Sequence, residues 1–376
     1  MNAKKETTVL NTSVGADAGQ PNQNLCKSSL TDSLEEYNRY FRQLNDPSYL
    51  ATVSMRELYE TAYEIKPPLI DGLLYPGTYL LAGAPKLGKS FLVAQLAYHI
   101  STGTPLWDYP VRKGTVLYLA LEDDNRRLQN RMYQMFDMAI ADQLYFATHA
   151  RQLGNGLDEQ LERFVREHPD TKLIIIDTLQ KIREIGGEAY SYASDYDIIT
   201  RLKSFADCRG LCLILVHHTR KQKADDVFDM ISGTSGLLGA ADGAFLLQKP
   251  TRTANEATLD ISGRDQQDQR LHLNRNEEKL CWELERCETE LWKAPPEAIL
   301  DAVAGLVNAE KPEWTGSPTE LVEALAVDMK ANTLTMKLNV NTGRLYREHG
   351  ISYWNRRTHE GERSFCSLSR KARDDV

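Results

Sequence analysis

The chain has 376 residues, enough for a large core or two domains, and its 41% hydrophobic and 26% charged residues are typical of a soluble globular protein. The net charge of −8 argues against a protein that coats nucleic acid with its whole surface. The first 30 residues lack the apolar stretch of a signal peptide, and LIII at 173–176 is too short to span a membrane. We therefore expect a cytoplasmic protein without a membrane partner.

The N-terminal part of the chain divides into two predicted segments. Residues 1–30 are polar and without periodicity, which predicts a disordered tail. Residues 31–77 predict a short helical segment, with helices over LTDSLEEYNRYFRQL and VSMRELYETAYE. Ser54 and Glu57 stand at the spacing of a capping box at the start of the second helix.

Residues 78–292 alternate between apolar strands and amphipathic helices. The predicted strands in this part are TYLLAG, TVLYLAL, LYFAT, LIIIDT, LCLILVHH and GAFLLQK. Strands that are apolar throughout and separated by helices predict an α/β fold with a mostly parallel sheet covered on both faces. After residue 256, the period-two runs ATLDIS, RLHLNR and KLCWELE predict antiparallel strands added at the sheet edge.

Residues 296–376 predict a small, basic α+β module. Three helical patterns are followed by two strand-like runs, which is the order of a winged helix. From residue 330 to residue 373 the chain has ten Lys or Arg against three Asp or Glu. This asymmetry favours a nucleic-acid contact, with a solvated basic face as the alternative.

The stretch GAPKLGKSF has the spacing of a phosphate-binding loop, between a predicted strand and a predicted helix. Its glycines allow backbone N–H groups to close on phosphates, its lysine reaches the β- and γ-phosphates, and its serine hydroxyl ligates Mg²⁺. The sequence therefore predicts binding of ATP and Mg²⁺ by Gly83, Ala84, Pro85, Lys86, Leu87, Gly88, Lys89, Ser90 and Phe91.

Two further carboxylates are expected beside this loop. Asp177 ends the apolar run KLIIID and is predicted to bind the metal together with Ser90. Glu122 ends the strand TVLYLALE and is the predicted base that orients the attacking water. Asp123 and Asp124 follow it directly and stay as alternatives. The aromatic pair Trp107 and Tyr109 fits either base stacking or packing, and we favour packing.

The order of these motifs over residues 55–285 resembles RecA-type ATPases and, more narrowly, the RepA-type hexameric replicative helicases of plasmids and other mobile elements. The resemblance implies a RecA-like core, Glu122 as base, and a γ-phosphate-sensing histidine at His217 or, preferably, His218. It also implies an arginine finger at Arg264 in SGRD. Arg270 is a rival finger, and pairing of Arg264 with Asp260 or Asp265 is the alternative.

The resemblance further implies a homo-oligomer, expected to be a hexamer, with single-stranded DNA in its pore near Arg220 and Lys221. Contacts from the C-terminal module to duplex DNA are predicted at Lys337, Arg344, Arg347, Arg356 and Arg357. The leading hypothesis is a DNA helicase, and an ATP-dependent DNA-binding switch that does not unwind DNA remains open. A RecA-like recombinase is a third hypothesis.

Overall fold

The computed structural model describes residues 48–63, 66–183, 192–219, 227–231, 235–289, 295–357 and 364–370. The predicted disordered tail and the predicted helix over LTDSLEEYNRYFRQL, residues 30–44, lie outside the described part of the chain. No helix in the described part of the chain is both long and apolar enough to cross a membrane.

The first described helix is α1, Met55–Glu60, and it begins with the capping box that the sequence predicts. The Glu57 N–H donates to Ser54 Oγ at 3.2 Å, and the Ser54 N–H donates to Glu57 Oε2 at 2.6 Å. These two bonds satisfy N–H groups that the first helical turn leaves without partners. This part of the prediction is confirmed.

Strands and helices alternate through the core as predicted. The parallel strands are β1 (Gly77–Ala82), β2 (Thr115–Ala120), β3 (Leu144–Ala147), β4 (Thr171–Asp177), β5 (Cys212–Val216) and β6 (Gly243–Gln248). The helices between them are α2 (Lys89–Thr102), α3 (Asn125–Phe136), α4 (Leu157–Glu167), α5 (Leu179–Ile182), α6 (Tyr192–Arg209) and α7 (Ser235–Ala240), and a 3₁₀ turn covers Val227–Met230. Every residue of β1, β2 and β5 is buried, which explains their continuous apolar sequences.

The core sheet has nine strands in the order β3-β2-β4-β5-β1-β6-β7-β8-β9, where β7 is Glu256–Gly263, β8 is Gln266–Arg275 and β9 is Trp282–Cys287. The first six strands are parallel. The last three are antiparallel additions beside β6, as the period-two runs predict.

Each face of the sheet carries its own apolar core. Tyr79 and Leu81 of β1 face the side covered by α2 and α3, whereas Leu80 and Ala82 face the side covered by α4, α6 and α7. This alternation follows from the two-residue period of a strand. The architecture is the predicted three-layer α/β fold.

The C-terminal domain contains α8 (Ala298–Leu306), β10 (Glu313–Gly316), α9 (Pro318–Leu325), α10 (Ala331–Val340), α11 (Thr342–His349), β11 (Ile351–Arg357) and β12 (Ser364–Arg370). Its antiparallel sheet has the order β10-β12-β11 around a separate apolar core. The predicted hairpin is present, and β10 is a strand that the sequence pattern did not indicate.

The third helical pattern of this domain is two helices rather than one. The chain leaves the helical conformation at Asn341, whose φ of −100° and ψ of 14° end α10 and precede α11. The Asn341 side-chain amide donates to the Lys337 carbonyl at 2.9 Å, which satisfies an acceptor at the end of α10. The domain also contacts the N-terminal segment, since Asn339 Nδ2 donates to the Tyr59 carbonyl at 2.9 Å.

Candidate nucleotide site

The parallel strands end in one row, and the predicted site residues follow that row. Ala120 of β2 is paired with Asp177 of β4, Asp177 with Val216 of β5, and Val216 with Leu81 of β1. The loop 83–91, Glu122 and the two histidines come directly after these residues. The topology therefore brings to one sheet edge groups that are up to 135 positions apart in the chain.

The loop between β1 and α2 has the backbone of an anion cradle. Lys86 and Gly88 have positive φ values of 67° and 102°, which turn successive peptide groups toward the same side. A Cβ on Gly83 would lie 2.7 Å from the Leu247 carbonyl oxygen, so that position accepts only glycine without movement of the backbone. Helix α2 begins at Lys89 with no side-chain cap, so its first N–H groups are left for a ligand.

Lys89 lies folded onto this loop and is only 5% exposed. Its Nζ donates to the carbonyls of Gly83 at 2.8 Å and Ala84 at 3.0 Å. Burial lowers the pKa of Lys89 to about 8, and the charges of Asp177 and Glu122 oppose that shift. The folded protein therefore keeps a positive charge at this loop despite the cost of removing it from water. Such a charge suits the loop to binding an anion.

Asp177 and Ser90 form the candidate metal pair. Asp177 is 5% exposed, and its Oδ2 accepts a hydrogen bond from the Tyr118 hydroxyl at 2.9 Å. Burial raises the pKa of Asp177, while hydrogen bonds from Ser90 and Tyr118 oppose the shift. The Ser90 hydroxyl therefore already contacts the carboxylate with which it is predicted to share Mg²⁺.

The three adjacent acidic residues after β2 have three different environments. Asp124 is the N-cap of α3 and accepts from the Arg127 N–H at 2.8 Å. Asp123 is paired with Arg131 at 2.6 Å, with both side chains largely buried. Only Glu122 faces the site, where its Oε1 accepts a hydrogen bond from Thr178 Oγ1 at 3.2 Å. The geometry favours Glu122 as the base over its two neighbours.

The two histidines after β5 also differ. His217 is 6% exposed, and its backbone N–H donates to the Leu81 carbonyl at 2.8 Å. His218 is half-buried, and its Nδ1 lies 3.4 Å from Lys89 Nζ. Burial and the neighbouring Lys89 charge lower the pKa of His218, which favours a neutral imidazole. His218 is therefore the histidine that contacts the phosphate-binding loop.

Trp282 of β9 packs against Gly88 of the P-loop, and no motif in the sequence indicates this role. Its indole Nε1 lies 3.3 Å from the Gly88 carbonyl oxygen, and a Cβ on Gly88 would lie 3.0 Å from its ring. Gln95 of α2 exchanges two hydrogen bonds with the Trp282 backbone. Trp107 also donates to the Trp282 carbonyl at 2.7 Å, which agrees with a packing role for Trp107. A contact over almost 200 positions leaves no local signal in the sequence.

Phe91, the last residue of the loop, lies between two cations. The Arg275 guanidinium carbon is 4.5 Å from the centre of its ring, and that of Arg131 is 5.1 Å away. Such contacts stabilise a cation over an aromatic face. Neither arginine belongs to the predicted site.

Arg264 lies away from the phosphate-binding loop of its own chain. It follows β7, whose Gly263 is paired with Gly243, the first residue of β6. Gly243 is in turn paired with Tyr79, four residues before Gly83, which is about 13 Å along a strand. The Arg264 guanidinium donates to the Gly239 carbonyl at 2.9 Å.

Neither Asp260 nor Asp265, the two alternative partners of Arg264, forms an ion pair with it in the described part of the chain. Asp260 is paired with Arg270, whose Nε lies 2.6 Å from its carboxylate. Among the described residues, no carboxylate lies within salt-bridge distance of Arg264. Arg270, the rival finger, is thus the residue held by an ion pair.

The predicted DNA contacts differ in what the structure describes of them. Arg220 and Lys221 lie outside the described residues, as do the side chains of Arg356 and Arg357. In the C-terminal domain, Lys337 is paired with Glu297 at 2.9 Å, and Arg344 is paired with Glu348 at 2.8 Å. Arg347 is exposed and lines a cleft between this domain and the core.

The chemistry of the site fits Mg²⁺ and a nucleoside triphosphate. Mg²⁺ prefers one or two oxygen ligands from the protein and completes its shell with water and phosphate oxygens. Ser90 and Asp177 supply such a pair, and the uncapped start of α2 together with Lys89 supplies the donors for phosphates. No cluster of three His, Cys, Asp or Glu suited to another kind of metal site occurs among the residues described.

Residues 45–224, just under half of the chain, match the family model described as an AAA domain. This match agrees with the loop after β1, with Asp177 at the end of β4 and with Glu122 two residues after the neighbouring β2. The core is a RecA-like P-loop ATPase fold. Among curated proteins, none matches the chain.

Solved structures similar to this P-loop core are distant in sequence. An ATPase domain has 16% identity and a TM-score of 0.46, covering 69% of this chain and 99% of that one. A KaiC-like protein from Pyrococcus horikoshii has 14% identity and a TM-score of 0.44, covering 60% and 99%. A DnaB-like replicative helicase has 16% identity and a TM-score of 0.45, covering 69% and 67%.

Proposed function

We propose that this chain is a Mg²⁺-dependent ATPase that acts on DNA as a ring of copies, in the manner of a replicative helicase of a plasmid or mobile element. The observation that carries the proposal is the convergence of Lys89, Ser90, Asp177, Glu122 and His218 at one sheet edge. The last three lie at or just after the ends of three different strands. Asp177 is hydrogen-bonded by Ser90, and His218 lies beside Lys89. The charge of Glu122 acts on both Lys89 and Asp177.

Each residue has a role that its environment supports. Lys89 leaves its two carbonyl acceptors to bind the β- and γ-phosphates, and Ser90 with Asp177 holds Mg²⁺. The metal ion, when bound, neutralises charge that develops on the phosphate oxygens. Glu122, oriented by Thr178, accepts a proton from the attacking water, a contribution of about 10²- to 10⁴-fold in rate.

His218 has the position of a γ-phosphate sensor. Its Nδ1 lies close to Lys89 Nζ, so a movement of the ammonium onto phosphate changes the surroundings of the imidazole. Because its pKa is lowered, the ring is neutral at pH 7 and has one donor and one acceptor nitrogen. Arg220 and Lys221, the proposed DNA contacts, come two and three residues after His218. Their closeness in the chain would couple DNA binding to the state of the bound nucleotide.

The γ-phosphoryl group needs a cation besides Lys89, and the candidate finger Arg264 lies away from the P-loop of its own chain. Arg264 lies at the opposite end of the sheet from Lys89 of its own chain and is held by Gly239. A neighbouring copy can supply it, and an arginine finger contributes about 10³- to 10⁵-fold in rate. This is the argument for assembly into a ring.

Three variants test the ATPase part of the proposal. Lys89→Ala should abolish nucleotide binding or turnover, whereas Glu122→Gln should still bind ATP and hydrolyse it at least 100-fold more slowly. Asp123→Asn is the matched control, since it changes the adjacent carboxylate that is paired with Arg131, and it should retain turnover. Normal hydrolysis by Glu122→Gln would contradict the assignment of the base.

Mixed assemblies test the finger. Arg264→Ala should assemble and bind ATP but hydrolyse it poorly, and Lys89→Ala should also be inactive. Their mixture should regain activity, because some interfaces then combine an intact P-loop with an intact arginine. Absence of rescue despite measured co-assembly, or full turnover by Arg264→Ala alone, would remove the argument for a shared site.

A second candidate function is a DNA-bound switch that uses ATP to assemble a complex without unwinding. The observation that favours it is the C-terminal domain, which has its own core and the helix-strand order of a winged helix. Unwinding of a forked substrate distinguishes the two functions. Turnover stimulated by single strands without any unwinding would select the switch.

A further inference from the structure

A cleft of about 550 Å³ lies between the core and the C-terminal domain, at the end of the sheet opposite the P-loop. Its core side comes from residues 67–71 and 110–112, which precede β1 and β2. Its other side comes from residues 346–350, the end of α11, and from the last residue of β12. We call it the seam cleft.

Three arginines from both domains line the seam cleft: Arg112, Arg347 and Arg370. Among the described residues, none of the three has a carboxylate within salt-bridge distance. Arg370 Nη1 lies 3.5 Å from the Val307 carbonyl. The lining residue His349 lies beside Asp301, whose Oδ1 is 3.6 Å from its Nε2.

The two acidic lining residues do not balance these charges. Glu348 is already paired with Arg344, which binds it through Nε at 2.8 Å. Asp71 is exposed and is within ion-pair distance of none of the described cations. The described residues that line the cleft therefore have an excess of positive charge.

The core side of the cleft shows the effect of this crowding. Burial and then the charge of Arg112 lower the pKa of Lys172, at the start of β4, and Asp170 opposes them only in part. On the other side, the charge of Arg347 acts on the half-buried Tyr75, where it opposes the rise that burial causes in the pKa of the hydroxyl. Cations gathered in a partly enclosed space repel one another unless an anion joins them.

The remaining walls are suited to an organic anion. Pro67, Pro68, Pro110 and Val111 form an apolar side, and Tyr346 adds an aromatic ring. The volume lies in the range of pockets that bind small organic ligands. Guanidinium groups bind phosphates in pairs of hydrogen bonds, and aromatic rings accept nucleobases by stacking.

We propose that the seam cleft binds the phosphate backbone of a nucleic-acid strand, with Arg112, Arg347 and Arg370 as the phosphate contacts. The choice of a nucleic-acid strand over a free phosphate ester rests on the proposed function. The site itself is separate from the P-loop and needs no nucleotide there. It also differs from the winged-helix surface, where Lys337 and Arg344 are neutralised by glutamates.

The test measures binding of a fluorescent 12-nucleotide oligothymidylate to the full chain without ATP, over a range of salt concentrations. The double variant Arg112→Gln and Arg370→Gln should bind at least tenfold more weakly. Its negative slope of log affinity against log salt concentration should become less steep by about 1.4, since each contact to a phosphate of a single strand contributes about 0.7. The matched control replaces Arg163 and Arg166, exposed on α4, by Gln, and its affinity should change by less than twofold.

Equal losses in the seam and control variants would overturn the proposal, because both remove two positive charges from the chain. Thermal unfolding of each variant shows whether the chain is folded, and Arg347→Lys provides a milder change that keeps the charge but loses the paired geometry. This variant should lose affinity, although by less than the double variant does, and an unchanged affinity would contradict a paired phosphate contact at Arg347.

Two competitors identify the source of the phosphate. Thymidine monophosphate and inorganic phosphate should displace the strand only at concentrations at least 100-fold above that of unlabelled oligothymidylate. Equal potency of the mononucleotide would overturn the strand as ligand. The same titration in Lys89→Ala protein separates the two proposals, because loss of ATP binding there leaves the seam cleft intact.

Discussion

We compare the free energy of unfolding of Lys89→Met with that of the wild type, both without nucleotide. The variant minus the wild type should be larger at neutral pH than at alkaline pH. The lysine is 5% exposed, and burial lowers its pKa from 10.5 to about 8. Between these two values the unfolded chain keeps the proton on Lys89 while the folded chain loses it. The unfolded state then binds more protons, so the stability of the wild type rises with pH in this window.

The magnitude follows from the same two pKa values. Below pH 8 the buried ammonium costs about 3 kcal/mol, because a difference of one in pKa corresponds to about 1.4 kcal/mol. Between pH 7.5 and pH 9.5 this cost falls by about 2 kcal/mol. The Met variant has no such cost, although it loses the hydrogen bonds to Gly83 and Ala84, each worth about 1 kcal/mol at any pH.

The assay is urea unfolding of both proteins at pH 7.5, 8.5 and 9.5 without nucleotide. The free energy of unfolding of Lys89→Met minus that of the wild type should decrease by about 2 kcal/mol over this range. Lys86→Met, which removes an exposed lysine of the same loop, is the matched control and should show no such trend. If this difference in the free energy of unfolding stays constant with pH for Lys89→Met, burial does not disfavour the charged form of Lys89, and the reasoning is refuted.

Three further predictions follow from buried contacts. Trp282→Phe loses the indole N–H beneath the last glycine of the P-loop, so it should cost about 1–3 kcal/mol of stability in urea unfolding and weaken ATP binding in a titration; unchanged ATP affinity would contradict a supporting role. Tyr118→Phe removes a hydrogen bond that lowers the pKa of Asp177. The acid limb of the pH profile of kcat/KM should therefore move to higher pH. An acid limb that does not move would argue against Asp177 as metal ligand. Asp195→Asn breaks the largely buried pair with Arg183, whose atoms are 2.9 Å apart, and should cost about 3–5 kcal/mol, whereas a loss below about 1 kcal/mol would show that the pair contributes little.

The P-loop and the layers of the core follow from local sequence alone. The spacing of Gly83, Gly88 and Lys89 between an apolar run and an amphipathic run suffices, because it encodes a strand, a tight turn and a helix start within twenty residues. The capping box at Ser54 is equally local. Period-two patterning after residue 256 likewise predicted the antiparallel edge, since a strand with one covered face must alternate.

The roles of neighbouring residues of the same type depend on tertiary contacts. Glu122, Asp123 and Asp124 are equivalent in the sequence, but Arg131 and the start of α3 engage two of them and leave Glu122 at the site. His217 and His218 are separated by burial in the same way. Asp124 has a local partner, the N–H of Arg127. Glu122 and His218 are instead distinguished by Thr178 and Lys89, which are distant in the chain.

Long-range pairing also decided which cations are available. Lys337 and Arg344 have the pattern of a basic DNA-binding helix, yet glutamates from α8's N-terminus and from α11 neutralise them. Arg112 has no motif around it, and only the packing of the C-terminal domain against the core brings it to the same cleft as Arg347. The charge and periodicity of a stretch of sequence can be read from that stretch alone. The electrostatic field at a point on the protein is the sum over all the charges that the fold brings near it.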